Sequence, residues 1–368
     1  MNLRVLIPIV ALCTSALAAA ATGRPQGGEP AYMTKPVQVF LLLGQSNMVG
    51  LGKVSGPDGS LEFAVKEKKQ YAYLVDEDGA WTERKDVRYA RVMSGRGGGM
   101  QRLNNEWMTV KGCKTIGPEF GIAEVVGDAV EAPVLVLKSC IGNRSLGWDL
   151  LPPGSERFVF AVKDKSGATK NMVYAGYKDR PDAWELDPAK GLQTEPAPWL
   201  DKSGKPIDWY AGKQWDDDMA HAKAVLAELD RHYPGAKRYE VAGFFFWQGE
   251  KDAGNPGHAA RYEKNLVHFI KTLRKEFDAP HAKFVLATMG ESTKGSGGNG
   301  GMILDAQLAV DGASGKHPEF RGNVATVYTH PMAQGGSGNG HYGGKAEVYM
   351  DVGEAMGRAM VELLQDRK

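Results

Sequence analysis

The sequence predicts an α/β fold of three layers, in which helices cover both faces of a central, mainly parallel sheet of five strands. Five short runs are apolar at nearly every position, as expected of strands buried on both faces. They lie at residues 37–43, 134–137, 241–247, 284–287 and 324–328. Segments with apolar residues at three-to-four spacing separate these runs, which favours a parallel sheet with helical crossovers. Those helical segments lie at 122–130, 217–229, 262–277 and 346–364.

The length and composition are typical of a globular protein. The chain has 368 residues, of which 42% are hydrophobic and 24% are charged, so a sizeable core can form. The net charge is +1, which gives no electrostatic basis for binding nucleic acid or an anionic membrane surface. We therefore expect neither as a partner.

The first 20 residues have the pattern of an export signal. The positive charge of Arg4 precedes an apolar stretch at 5–17, which is too short to span a bilayer, and small residues around Ala18 fit a cleavage site. The alternative is an uncleaved anchor. We expect an exported protein, periplasmic or secreted, with no membrane contact after cleavage.

Beyond the predicted signal, we expect a linker at 21–35 and one catalytic domain at 36–368. The stretch from about 151 to 214 interrupts the strand–helix alternation and is rich in Pro, Gly, Lys, Asp and aromatic residues. It is interpreted as an insertion that decorates the functional edge. Two cysteines remain after cleavage, Cys113 and Cys140. They could form a disulfide or remain as two buried thiols, and the sequence leaves both alternatives open.

A serine directly follows the first predicted strand, within Gly-Gln-Ser-Asn-Met at 44–48. Ligands of open parallel sheets bind beyond the carboxyl ends of the strands. A tight turn there, permitted by Gly44, would present the Ser46 hydroxyl at that edge. A serine nucleophile also needs a base and donors for the developing oxyanion. The alternative is an ordinary turn.

Two further blocks follow strands. Gly142, after the second run, offers a backbone N–H to an oxyanion, unless it is a plain loop glycine. After the third run, Gln248 offers an amide donor, and Glu250 and Asp252 offer carboxylates, one of which can orient a histidine. Alternatively, both carboxylates are solvated at a helix start.

A histidine lies in the glycine-rich loop before the last helical segment. This is His341, within Asn-Gly-His-Tyr-Gly at 339–343. His330 also follows a strand and is a competitor, and we favour His341.

Together these blocks resemble the SGNH-hydrolase superfamily, and within it the sialate O-acetylesterase and carbohydrate esterase family six group. Gly-Gln-Ser-Asn-Met at 44–48 is the most specific motif, and Trp-Gln-Gly-Glu at 247–250 is similar to the group's third block. Gly-Pro-Glu at 117–119 and Asp-Ala-Gln-Leu at 305–308 are also similar to stretches of that group. The resemblance runs from about residue 37 to the C-terminus, except the insertion, and implies a flavodoxin-like fold and a carbohydrate O-acetylesterase.

The resemblance also implies the roles of single residues. Ser46 would be the nucleophile and His341 the general base. Many relatives have an Asp three residues before the histidine, where this chain has Gly338. The orienting acid is then Glu250, as the family-six pattern suggests, or Asp252, or a backbone carbonyl takes its place. The oxyanion donors would be the N–H groups of Ser46 and Gly142 and the side chain of Gln248, and substrate would contact Gln45, Asn143, Arg144 and Trp247.

The implied reaction passes through an acetyl-enzyme and needs no cofactor. Acetylated polysaccharide, such as xylan or pectin, and acetylated sialic acid are the candidate substrates. One alternative is a carbohydrate-binding protein with a vestigial site, whose sugar-stacking aromatics would be Trp184, Trp199, Trp209, Tyr210 and Trp215. Another is a lipase or thioesterase of the same superfamily, which the lack of a long apolar lid segment disfavours.

We predict that chelators leave esterase activity unchanged. The histidines and the two mature cysteines show no metal-ligand spacing such as His-x-x-x-His with a partner acid. The measurement is acetate release before and after treatment with EDTA. Loss of activity that a divalent ion restores would contradict the prediction.

Overall fold

The computed structural model of the chain describes residues 29–95, 99–333 and 338–366. The predicted export signal and the first part of the predicted linker lie outside these residues. The strands are β1 (Val37–Gly44), β2 (Gly52–Lys53), β3 (Arg84–Ser94), β4 (Met100–Met108), β5 (Thr115–Ile116), β6 (Val134–Ser139), β7 (Phe158–Lys163), β8 (Thr169–Tyr174), β9 (Ala183–Glu185), β10 (Tyr239–Trp247), β11 (Lys283–Ala287) and β12 (Val324–Val327). The helices are α1 (Ser46–Val49), α2 (Leu61–Lys66), α3 (Glu119–Ala129), α4 (Lys213–Ala227), α5 (Leu229–His232), α6 (Glu250–Ala253), α7 (Pro256–Glu276), α8 (Gly298–Ala309) and α9 (Ala346–Gln365).

The central sheet has the order β12-β11-β10-β1-β6-β3-β4. All neighbouring pairs are parallel except β3 and β4. The five predicted strands are present as β1, β6, β10, β11 and β12, and their order is that of a flavodoxin-like sheet. The α/β class is therefore confirmed.

The predicted number of strands is wrong, because the described part of the sheet has seven. The missed strands are not continuous apolar runs. Strand β3 carries buried charges, since Arg84 pairs with Asp86 at 2.7 Å. Strand β4 is the antiparallel edge, and most of its residues are at least partly exposed. An edge strand with one solvated face does not need the apolar composition that marks a doubly buried strand.

The alternation of side chains along β1 separates two cores. Val39 and Leu41 point to a face covered by α4, α7 and α8. Phe40 and Leu42 point to the opposite face, which α3 and α9 cover. Helices therefore cover both faces, as the three-layer prediction requires.

The segment predicted as an insertion contains an antiparallel sheet of β7, β8 and β9. Its small core includes Val173 and Trp184. The sheet contacts the start of α7, because the Tyr174 hydroxyl donates to Asn255 at 2.9 Å. Tyr174 also lies so close to Gly257 that a Cβ there would be 2.1 Å from its ring. The insertion is thus docked against the main sheet's helical layer.

Cys113 and Cys140 are free thiols and do not form a disulfide with each other. Burial raises the pKa of Cys113 to about 11 and that of Cys140 to about 12. Both are therefore weak nucleophiles. Within the described ranges, none of the helices has the length and apolar character needed to cross a bilayer.

A carboxyl group is buried between α4 and the end of β6. Asp218 accepts hydrogen bonds from the Ser139 hydroxyl at 2.6 Å and from the Gln214 amide at 2.7 Å, both at Oδ1. Its Oδ2 has no partner among the described residues. Burial raises the pKa of Asp218 to about 7.

We predict that Asp218→Asn changes how stability depends on pH. An unfolded aspartate loses its proton near pH 4, whereas the folded chain keeps it until about pH 7. The native state therefore binds more protons between these values, and the free energy of unfolding falls as the pH rises through this window. Asparagine cannot ionise, so the variant lacks this loss. Its free energy of unfolding should rise relative to that of the wild type by up to about 1.4 kcal/mol per pH unit across the window.

Urea unfolding at several pH values from 4 to 8 measures this difference. Asp217→Asn is the control, because Asp217 pairs with Lys213 at 2.6 Å near the surface. A difference between Asp218→Asn and wild type that does not change with pH would contradict the prediction.

Candidate active site

A cavity opens at the carboxyl edge of the sheet, where the chain order reverses. Strands β6 and β10 flank β1 on opposite sides, and crevices at such a point are where α/β proteins bind ligands. The cavity has a volume of about 650 Å³. Its lining is Gln45, Ser46, Leu51, Gly142, Asn143, Arg144, Ser145, Trp148, Asp149, Asp182, Glu250, Lys251, Gly254, Asn255, His258 and His341.

The turn after β1 places Ser46 at this edge. Gly44 has φ 144°, and a Cβ on it would lie 2.3 Å from the carbonyl oxygen of Trp247. No side chain fits there. The Gln45 N–H then donates to the same carbonyl at 3.1 Å, and α1 begins at Ser46. The last β1 residues are thus held against β10 while the chain turns away.

A buried ion pair supports this turn from behind. The Lys138 ammonium donates to Glu119 at 2.8 Å and to the carbonyl of Val49 at 2.8 Å. Both charged side chains are almost completely buried. Gly50 then lies against Gly117, and a Cβ on Gly50 would be 2.2 Å from the Gly117 nitrogen. The end of α1 therefore has little freedom to move.

Gly142 lies beside Ser46, as predicted. A Cβ on Gly142 would be 3.4 Å from the Ser46 Cβ. Within the described residues, the backbone N–H groups of Ser46 and Gly142 donate to no protein acceptor. Two backbone donors next to a serine hydroxyl are the arrangement that an oxyanion needs.

The structure does not place Gln248 as predicted. Its side chain is completely buried, and its amide donates both to the carbonyl of Arg144 at 2.9 Å and to Asp252 at 2.5 Å. Its Oε1 accepts from the Tyr262 hydroxyl at 2.8 Å. Because both amide hydrogens are used inside the protein, Gln248 holds the loop after β6 rather than donating into the cavity.

Trp247 also differs from its predicted role in substrate binding. It is completely buried and absent from the cavity lining. Its indole N–H donates to the carbonyl of Thr288 at 3.1 Å. Its ring stacks on Tyr342, with centroids 5.8 Å apart. Trp247 therefore supports the residue that follows His341.

The other predicted substrate contacts, Gln45, Asn143 and Arg144, line the cavity. Asn143 is exposed and has φ 60°. The Arg144 guanidinium lies 4.3 Å above the ring of Trp209 and 3.8 Å from Asp149.

Glu250 lies in the cavity between two amide donors. Its carboxylate accepts from the Gln45 side chain and from Asn47 at 2.6 Å. Asn47 also reaches the Tyr342 hydroxyl at 3.2 Å. Burial, and then the nearby charge of Glu291, raise the pKa of Glu250.

His341 lines the same cavity in a left-handed conformation, with φ 46°. Among the described residues, its ring makes no hydrogen bond to Ser46 or Glu250. The competitor His330 is bound through Nδ1 to the carbonyl of Gly290 at 2.7 Å and does not line the cavity. The structure thus brings His341, rather than His330, to the serine's cavity.

Asp252 is not at a solvated helix start, which was one of its expected positions. It is completely buried. Its carboxylate accepts from the backbone N–H groups of Leu146 at 2.8 Å and Gly147 at 2.7 Å. Asp252 therefore binds the loop after β6 and does not line the cavity.

Several lining residues were missed by the sequence analysis. They are Trp148, Asp149, Asp182 and His258, which come from the loop after β6, the insertion and α7. No local pattern marks them, because they come from separate parts of the chain that meet only in the fold. Of the suggested sugar-stacking aromatics, Trp184 and Trp215 are buried in cores, whereas Trp199 packs on Trp148 with centroids 5.5 Å apart.

The described residues contain no group of three or more histidine, cysteine or acidic side chains placed to hold a metal ion.

Comparison with known proteins relates the chain to carbohydrate esterases. Residues 201–362, fewer than half of the chain, match the family model described as carbohydrate esterase, sialic acid-specific acetylesterase. No curated protein matches the sequence.

Three solved structures are similar to the chain at low identity. A protein from Arabidopsis thaliana is 14% identical, with 90% of this chain and 99% of that chain covered and a TM-score of 0.45. A carbohydrate acetylesterase from Xanthomonas citri is 14% identical, with 88% and 55% covered and a TM-score of 0.47. NanS is 12% identical, with 90% and 98% covered and a TM-score of 0.42. Because each TM-score is below 0.5, these likenesses carry no weight for the chemistry.

Proposed function

We propose that the chain removes O-acetyl groups from carbohydrate with Ser46 as nucleophile, and the match of residues 201–362 to the family model of sialic acid-specific acetylesterases supports this proposal. The observation that carries the proposal is the convergence of Ser46, Gly142, Glu250 and His341 on one cavity. These residues come from four separate segments of the chain, and each follows a strand or precedes the last helix.

The proposed reaction is a double displacement. The Ser46 hydroxyl attacks the acetyl carbonyl while the His341 imidazole takes its proton. The N–H groups of Ser46 and Gly142 donate to the tetrahedral oxyanion. The sugar oxygen leaves with the proton from His341, and a water molecule then hydrolyses the acetyl-enzyme by the same two steps.

We assign to Glu250 the stabilisation of the imidazolium that forms on His341. The amides of Gln45 and Asn47 hold its carboxylate inside the cavity. A hydrogen bond between Glu250 and His341 would form in the reacting complex, since catalytic hydrogen bonds are often long or poorly aligned without substrate and shorten when it binds. Asn47 also connects Glu250 to Tyr342, the neighbour of His341.

The lining favours a sugar over a fatty acyl chain. Most of the lining side chains are polar or charged, and Trp148 supplies an aromatic surface. Sugar rings, with hydroxyl groups on their rims and apolar faces, fit such a mixed wall. The N-terminal pattern supports export, so we propose that the acetylated carbohydrate is met outside the cytoplasm.

We predict that Ser46→Ala abolishes acetate release from acetylated carbohydrate without loss of folding. Alanine removes the nucleophile but fits the first position of α1. Removal of a triad member lowers kcat by about 10⁴-fold or more in serine hydrolases. Acetate release and thermal melting are the measurements. A folded Ser46→Ala protein with normal turnover would overturn the proposed function.

We predict that Glu250→Gln lowers kcat by about 30-fold or more, because the imidazolium loses its counter-charge. The variant also removes a negative charge from the cavity, so the acidic limb of the pH–rate profile moves to lower pH. Glu263→Gln is the matched control, because Glu263 pairs with Lys316 at 2.6 Å and is not part of the cavity lining. Near-normal turnover of Glu250→Gln would show that another group orients His341.

A further inference from the structure

The loop after β6 is bound to the rest of the protein residue by residue just beyond Gly142. The carbonyl of Arg144 accepts from Gln248 at 2.9 Å. The N–H of Ser145 donates to Asp149 at 2.8 Å. The N–H groups of Leu146 and Gly147 both donate to Asp252. Four successive residues are thereby fixed through their backbone atoms.

The same loop is fixed on its other side at the end of β6. The Ser139 hydroxyl donates to the buried Asp218 at 2.6 Å. The stretch that contains Gly142 is therefore a short span between two anchored points. Asn143 turns this span with a left-handed φ of 60°. The direction of the Gly142 N–H depends on how firmly both ends are held.

Asp252 is the centre of the second anchor. Besides the two loop N–H groups, it accepts from the Gln248 amide at 2.5 Å. Three donors around one completely buried carboxylate compensate for much of the cost of removing that charge from water. Asn and Ala at this position cannot accept from both Leu146 and Gly147 in the same way.

A histidine from α7 completes the support of the loop. The His258 ring lies against Gly147, where a Cβ would be 2.5 Å from its Cγ. Its Nε2 bonds to Asp182 of the insertion at 2.7 Å, and its Nδ1 is 3.9 Å from Asp252.

Neither Asp252 nor Gln248 lines the cavity, so both act on the loop from behind.

We propose that Asp252, together with Gln248, is a positioning residue for the oxyanion-binding loop: it fixes residues 144–147 so that the Gly142 N–H stays beside Ser46. The inference rests on the proposed function. It assigns to the Gln-x-x-x-Asp pair at 248–252 a task distinct from that of Glu250, which lies between the two residues but faces the cavity.

The two tasks differ in what they change. A loosened loop weakens the interaction with the oxyanion, which exists only in the transition state, so kcat falls while KM stays the same. The charge beside His341 is kept, so the pH–rate profile keeps its position. Complete loss of one oxyanion donor costs about 100- to 1,000-fold in kcat, and misplacement costs less.

The test compares Asp252→Asn with wild type, using 4-nitrophenyl acetate as substrate and Glu263→Gln as control. We expect kcat to fall about 10- to 100-fold, KM to change less than about threefold, and the acidic limb of the pH–rate profile to remain in place. Phenylboronic acid, which forms a tetrahedral adduct with an active-site serine, should lose affinity by a similar factor to kcat. The control should match wild type.

Unchanged kcat in folded Asp252→Asn would overturn the inference. A shifted pH limb would overturn it as well, since Asp252 would then act on His341. If Asp252→Asn does not fold, Gln248→Met decides, because it removes the side-chain hydrogen bonds to Arg144, Asp252 and Tyr262 and keeps the side-chain volume and the Asp252 carboxylate. Its kcat should fall in the same way, and normal kcat would overturn the inference. Ser46→Ala separates the two proposals. If Ser46→Ala is active, the proposed function is wrong. If Ser46→Ala is inactive and Asp252→Asn has a normal kcat, only the positioning role is wrong.

Discussion

The contact between the ends of β1 and β10 determines where the site can form. Gly44 has no room for a side chain, because the carbonyl of Trp247 occupies the position a Cβ would take. The two backbones therefore touch at the last residue of each strand and separate immediately afterwards. Ser46 follows one strand and Glu250 the other, so both reach the same cavity. The pair of parallel strands thus converts a sequence separation of about 200 residues into a short distance.

Each segment of the proposed site is backed by buried groups that do not themselves face the cavity. The Lys138–Glu119 pair lies behind the serine turn, the Asp252 carboxylate lies behind the loop of Gly142, and the stack of Trp247 on Tyr342 lies behind His341. Buried ion pairs contribute little to stability when compared with apolar packing. Under the proposed function their benefit is geometric, because donors that are already in place need not reorganise as charge develops.

Most of the sheet could be predicted from the sequence, and so could the segments that meet at its edge. Strands buried on both faces need apolar residues at nearly every position, which makes them visible. Strands β3 and β4 could not be found in this way, since the interior strand β3 buries charges in ion pairs and the edge strand β4 exposes one face. The order of the five predicted strands then follows from the fold class.

The directions of individual side chains could not be predicted. Position in a motif places Trp247 and Gln248 at the carboxyl edge, but packing decides which way each points. Trp247 turns into the core beneath Tyr342, and Gln248 finds acceptors in the neighbouring loop. The insertion residue Asp182 carries no such pattern, because it reaches the cavity through contacts between the insertion and the main body, such as those of Tyr174 with Asn255 and of Asp182 itself with His258.

The docking of the insertion has a consequence for how such an enzyme can diversify. The small sheet of β7 to β9 supplies Asp182 to one wall of the cavity, while the serine, the histidine and the backbone donors all belong to the main sheet. Surface segments on a rigid scaffold accept changes of length and sequence more readily than the scaffold does. Under the proposed function, exchanges within residues 151–214 can therefore alter the choice of sugar without changing Ser46, His341 or Gly142. Under the proposed function, recognition and chemistry are then separable, although the insertion is joined to the main body by hydrogen bonds to α7, α4 and the loop after β6.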